Sequence, residues 1–411
     1  MPEAQPAIPP PVPAPEVPVW RREPYRVLFP LGVLLTWAGV GRWLAMALGL
    51  DVRDGVFHSI AQIQGFMMCF VTGFLFTAIP RRTQTAPPAT WEMALAVLAP
   101  LTVCAAAWAK MIALSQAAWG ALLLTLVAFA GRRFLSREAG RRPPGPFLVW
   151  VPAGFGMGVA GAALTGAYAR AGQELWHLHE LGIGLLLQGM LIALVIGVGS
   201  MVLPLLTRGD APPDAEPTTR DRLRRLGHAA GAAALLLSFW IEHAASRPAG
   251  YGLRALVVTV MLVAAARLHR LPSKPGWHRW LVWGSAWAIP LGYALAALAP
   301  PATRQAWLHV VFIGGFATMA LAVGLHVTLA HGGYQQDVNG RLWRVPALGA
   351  ALGVAVVARA LMILDAGRYM TWLGVASAAF LAATAVWLTL VVPRLRDAPP
   401  PGLSPPASGT A

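Results

Sequence analysis

The sequence predicts an all-α fold, a polytopic membrane protein of twelve transmembrane helices arranged as three four-helix units. Three observations predict it. Of 411 residues, 57% are hydrophobic and only 12% charged, with a mean hydropathy of +0.58. The apolar residues are gathered in repeated runs long enough to cross a bilayer as helices. Lysines and arginines recur in alternate connections between those runs. The net charge of +15 follows from that placement, so the basic residues report topology and no nucleic-acid partner is expected. The only cysteines, Cys69 and Cys104, lie inside apolar runs, which excludes a disulfide framework, a cysteine-held zinc site and most iron–sulfur sites.

The first nineteen residues hold eight prolines and no apolar core, so residues 1–24 are expected to form a disordered tail rather than a signal peptide. The transmembrane domain is expected over 25–393, and a second proline-rich tail over 394–411. Neither tail has the apolar content to fold. The expected spans are 26–48, 57–79, 91–109, 112–130, 147–169, 179–206, 224–245, 251–268, 280–299, 308–330, 345–366 and 370–392. Polar or Pro/Gly-bearing connections separate them, and the shortest is the expected tight turn at Ala109 and Lys110. With this alternation, 23 of the 32 lysines and arginines fall on the side of the N-terminus. Cytoplasmic loops concentrate such residues, so both termini are expected in the cytoplasm.

Topology sorts the ten histidines. His228, His269, His278 and His331 fall at the cytoplasmic boundary and read as ordinary interfacial residues. His326 lies in span ten, seventeen residues beyond His309 and so about 25 Å deeper, and is expected to snorkel. His58, His177, His179, His243 and His309 all map to the outer ends of spans two, six, seven and ten. Singly, each would be an interfacial histidine. Five at one depth, in a chain with few polar side chains, point to a shared metal or haem site, since ionisable groups at membrane depth are costly and imidazole is a common ligand. The long histidine-led spans two, six and ten are four spans apart, which is the basis for three units. Gln62, Gln64 and Gln188 are costly in lipid and are expected to face the interior, while Met67 and Met68 read as packing.

Two motifs bring a family into view. Span two reads FHSIAQIQGF and later GFLFTAIP, with His58, Gly65-Phe66 and Gly73 through Pro80 at its characteristic positions. Span ten reads HVVFIGGFATMALAVGLHVTLAHGG, with His309, Gly314, Met319, Leu329, His331 and Gly333 in place. Over its twelve spans the chain resembles the NnrS family of bacterial inner-membrane proteins. It departs at Ile60 and Ala61, where the family commonly has a second histidine and a glutamate, and at His326, where an arginine is usual. The resemblance implies haem and copper as cofactors and a role in nitric oxide metabolism, nitrosative stress or denitrification.

The layout is also similar, more distantly, to catalytic subunits of haem-copper oxidases and nitric-oxide reductases. That likeness implies His58 and His309 as axial haem ligands and His177, His179 and His243 as copper ligands. It places Glu180, Glu242 and Gln62 nearby in supporting or proton roles. The span-six tyrosine signature, the histidine pair after span seven and the second histidine of span ten are missing here. The resemblance therefore implies an inner-membrane haem/copper protein, with the lipid bilayer, nitric oxide and a respiratory electron donor as partners. Whether it turns over a substrate stays open. The alternative is a haem or copper transporter or assembly factor for denitrification or respiratory enzymes.

Overall fold

In the computed structural model, residues 17–51, 53–137, 145–210 and 214–395 are described. Every regular element among them is helical. The long rods are α1 (Tyr25–Ala47), α2 (Gly55–Thr83), α3 (Thr90–Trp108), α4 (Ile112–Leu135), α5 (Trp150–Ala171) and α6 (residues 176–208). They continue as α7 (Thr219–Ala244), α8 (Arg247–Ala266), α9 (Trp277–Leu298), α10 (Arg304–His331), α11 (Arg344–Leu364) and α12 (Tyr369–Leu395).

Among the described residues, ten segments are long and apolar enough to cross a membrane. One of them, Pro146–Arg208, holds both α5 and α6, with a break at Gly172, whose φ of 78° suits a residue without a Cβ. α7 falls outside the ten: Arg220, Arg222, Arg224 and Arg225 charge its first turns, and the small residues, His228, Glu242 and His243 of the remainder keep it short of the apolarity of the others. The tight turn expected at Ala109 and Lys110 is present, with Lys110 in the left-handed region at φ 62°.

Ion pairs sort the rod ends into two sets. At the far end, Arg42 pairs with Asp51 and Asp54, and Asp54 also meets Lys110 across the α3–α4 turn. Asp54 caps α2 as well, accepting the Phe57 N–H at 3.0 Å. Burial pushes the Asp54 carboxyl up, but Lys110, the Phe57 N–H and Arg42 together hold it below its usual value. At the near end, Glu92 takes Arg132 and Arg133, and Asp337 takes Arg394. The expected tails fall largely outside the described residues. The one adjoining the N-terminus ends earlier than expected: Val19–Arg22 form a helical turn, and buried Glu23 pairs with Arg26 and Arg81.

The three histidine-led rods form the middle of the bundle. Within their most apolar windows the buried share is 83% for α2, 72% for the segment containing α6 and 61% for α10, against 50% or less elsewhere. α12 packs on both α11 and α1, closing the outer layer, and its buried Trp387 donates to the Leu321 carbonyl of α10 at 2.7 Å. Close packing rests on small residues: a Cβ at Gly161 of α5 would stand 2.7 Å from the Gly182 carbonyl of α6.

Each inner rod also carries a π-helical stretch, at Ala61–Met67, Leu185–Gly189 and Val310–Ala317. Such wide turns cost hydrogen-bond geometry and gather at functional sites. The buried amides at these stretches are all partnered. Gln64 and Gln116 exchange two bonds at 2.9 and 3.1 Å, and Gln188 accepts from Arg254 at 2.9 Å.

Candidate functional site

His58 and His309 both lie at the far end, at the heads of α2 and α10. Each lies within electrostatic reach of Arg359 on α11, and His309 also feels His58. His58 Nδ1 is 3.2 Å from the Gly39 carbonyl, and His309 Nδ1 is 2.8 Å from the Gln305 carbonyl. A carbonyl oxygen only accepts, so Nδ1 carries the proton in both rings. Nε2 is left with the lone pair a metal needs, in the orientation that a second-shell carbonyl imposes on ligating histidines. Trp43 packs edge-on against His58, with centroids 5.6 Å apart.

Gly39 is what lets α1 come this close. A Cβ there would meet Gln62 Nε2 at 2.6 Å and Ala61 Cβ at 2.8 Å. Gln62 sits beside His58 and exchanges bonds with Thr36, accepting from its hydroxyl at 2.5 Å and donating to its carbonyl at 3.2 Å. Ile60 and Ala61 are buried at 5% and 0% exposure, so packing fills the positions where a histidine and a glutamate are common in the resembled family.

The guanidinium of Arg359 has no carboxylate partner among the described residues. Its Nη1 contacts only the Met362 sulfur, at 3.2 Å, and its buried Nε has no partner. A half-buried cation left so on an apolar rod is costly, and it lies within electrostatic reach of the two imidazoles.

The histidines expected to hold copper are not gathered. Among the described residues, no three of His, Cys, Asp or Glu stand close enough to share a metal ion. His177 is exposed, and two helical residues from His179 it points about 200° away around the rod. His179 stacks on Tyr168 at 4.0 Å, with its buried Nδ1 unpartnered. His243 Nδ1 is 3.6 Å from Glu180, too long for a hydrogen bond, and Glu180 is engaged by Arg247 at 3.2 Å. The role expected for Glu242 is also corrected: it is buried in an ion pair with Arg254 at 2.6 Å and touches no histidine through it.

Two further groups were missed. Arg254, fully buried, donates to Gln188, Ser238 and Glu242 and lies 3.7 Å from the Phe239 ring centroid. At the near end His278 is only 1% exposed, and its Nε2 is 3.0 Å from His326 Nδ1. It is therefore no interfacial residue, and His326 pairs with it instead of snorkelling. His331 Nδ1 accepts from Arg81, which also holds Glu23. The signal for the two arginines was present: each interrupts an apolar run, RALVVTV or VVARALM.

The fold and site define a helical protein built for the membrane, with lone-pair-bearing imidazoles at the heads of two of its central rods. The family described as "NnrS protein" matches residues 19–398, nearly the whole chain, and the chain belongs to the NnrS family. No match was found among curated proteins.

Proposed function

We propose that this NnrS-family protein is a haem protein of the bacterial inner membrane that handles nitric oxide. One observation supports the reading: His58 and His309, at the heads of α2 and α10, each turn Nδ1 to a backbone carbonyl, which leaves Nε2 of both rings unprotonated. This donor set fits a haem. His58 and His309 would hold the iron, Gly39 and Gln305 would orient their rings, and Arg359 would neutralise the macrocycle's carboxylates. When bound, the haem would supply an iron able to bind nitric oxide and exchange an electron.

The remaining functions fall to the chain. Trp43 packs edge-on against the His58 ring, and Ile60 and Ala61 are buried on the same rod. A cavity of about 130 Å³ between α1, α2, α6 and α10 is lined by apolar groups such as Phe29, Met67, Leu194 and Phe316. Its size and dryness suit a small apolar gas entering from lipid. The three expected copper histidines do not fit one ion as placed, and no step is assigned to copper.

In this reading all rods from α1 to α12 cross the bilayer, making twelve, and the arginine-rich near end with both termini is cytoplasmic. The π-helical stretch in each of α2, α6 and α10 supports the reading of three four-helix units. The test is nitric oxide titration of the reduced, purified protein. A shifted haem spectrum is expected, and a spectrum unmoved by nitric oxide would overturn the role.

A further inference from the structure

A second cavity, of about 750 Å³, lies at the far end between α2, α4, α5 and α6. Its volume is that of a site for a drug-sized organic molecule. Most of its wall is apolar, and Val56, Met111 and Leu114 on it are more than 45% exposed, so it opens sideways where lipid would lie. Its inner surface is different. Thr165 Oγ1 and His179 Nδ1 are both buried and unpartnered there, although buried polar groups are ordinarily bonded. The two are close in the fold: a Cβ on Gly182, one helical turn below His179, would lie 3.2 Å from Thr165 Oγ1. Tyr168 braces the His179 ring by stacking on it.

We propose that this cavity binds the ring of a lipid-soluble quinone, with Thr165 and His179 hydrogen-bonding its oxygens and the apolar mouth taking its tail. A phospholipid is the poorer occupant. Its headgroup would sit with Lys110 and Arg170 at the rim, and its acyl chain would leave Thr165 and His179 unbonded. The site also has a place in the proposed function, on which this second part rests. Val56, Ser59 and Ile60 line the cavity on the same turns of α2 that carry His58, so about one helix width, roughly 10 Å, separates it from that imidazole. A quinol bound there becomes quinone by breaking its two O–H bonds. The two protons would leave at the far end, and the two electrons would need a one-electron oxidant, which the haem that His58 and His309 would hold could supply.

Equilibrium binding of decyl-ubiquinone to the purified full-length protein tests the site. Thr165→Val, nearly isosteric, should weaken binding about tenfold, the loss of one buried hydrogen bond. His179→Phe, which keeps the stacking, should weaken it at least as much. Pyridine-haemochrome content of the same samples is read separately from quinone binding, so failure of the haem reading is distinguishable from failure of this one. No binding by the wild type would overturn the proposal. So would equal affinity in wild type and Thr165→Val, or displacement of the quinone by anionic phospholipid alone.

Discussion

Arg254 and Arg359 are both arginines set into apolar rods, and they are satisfied in opposite ways. Arg254 is wholly buried, and Glu242, Gln188 and Ser238 take its donors while the rings of Phe239, Tyr251 and Tyr293 lie 3.7, 5.0 and 5.3 Å from its guanidinium carbon. Arg359 is half-buried, with a thioether for Nη1, nothing for Nε and two imidazoles within electrostatic reach. A buried charge that is fully compensated by its own chain is architecture, locking α6, α7 and α8 together. A half-buried one left uncompensated is poised for an anion that the described residues do not supply.

The comparison can be broken first at Arg254. Glu242→Ala strands the guanidinium and should cost about 3–5 kcal/mol of stability, read as a lowered thermal midpoint in detergent. The double replacement Glu242→Leu with Arg254→Met should recover much of it. Equal stability of Glu242→Ala and wild type would remove the contrast.

A smaller loss is expected from Gly39→Ala, whose Cβ would press on Gln62 and Ala61 at 2.6 and 2.8 Å. Overpacking of this kind costs about 1–3 kcal/mol, and it should also displace the carbonyl that orients His58. Haem retention should therefore fall along with stability.

At Arg359 the two readouts should separate. Arg359→Gln should leave the thermal midpoint near wild type while haem affinity, measured by transfer to apomyoglobin, drops about tenfold, the worth of one charge-assisted bond. Arg359→Lys should restore part of it. A collapse of stability without loss of haem would make Arg359 a second Arg254.

The smallest effect belongs to the loop charge at Asp54. Its folded carboxyl titrates below the unfolded one. Its stabilisation is therefore fully present above the ordinary carboxylate range and is lost as pH falls through the depressed folded value. Asp54→Asn should flatten the acid limb of the stability–pH curve and lower stability at neutral pH.

Much of the architecture was legible because lipid imposes a simple code. Apolar length gave the rods, and the histidine at the head of α2, α6 and α10 marked those that prove most buried. What could not be read was rotation about each rod. The spacing of His177 and His179 put them at one depth but on opposite faces. The π-helical stretches shift the register further, so Gln64 finds Gln116 and Gln188 finds Arg254 through turns that a 3.6-residue period does not foresee. Glu242 looked like a neighbour of metal until its partner on the next rod was known. His278 and His326 looked separable because one lay at a boundary and the other in a span, yet α9 and α10 set their nitrogens 3.0 Å apart.

The central claim is that α2 and α10 jointly hold one haem. Its most direct measurement is the pyridine-haemochrome content per chain of the purified full-length protein beside His58→Ala and His309→Ala. The account predicts one haem per chain in the wild type, with a bis-histidine absorption spectrum, and loss or conversion of that spectrum in each single variant. Wild-type protein without a Soret band, or variants whose spectrum is unchanged, would contradict it.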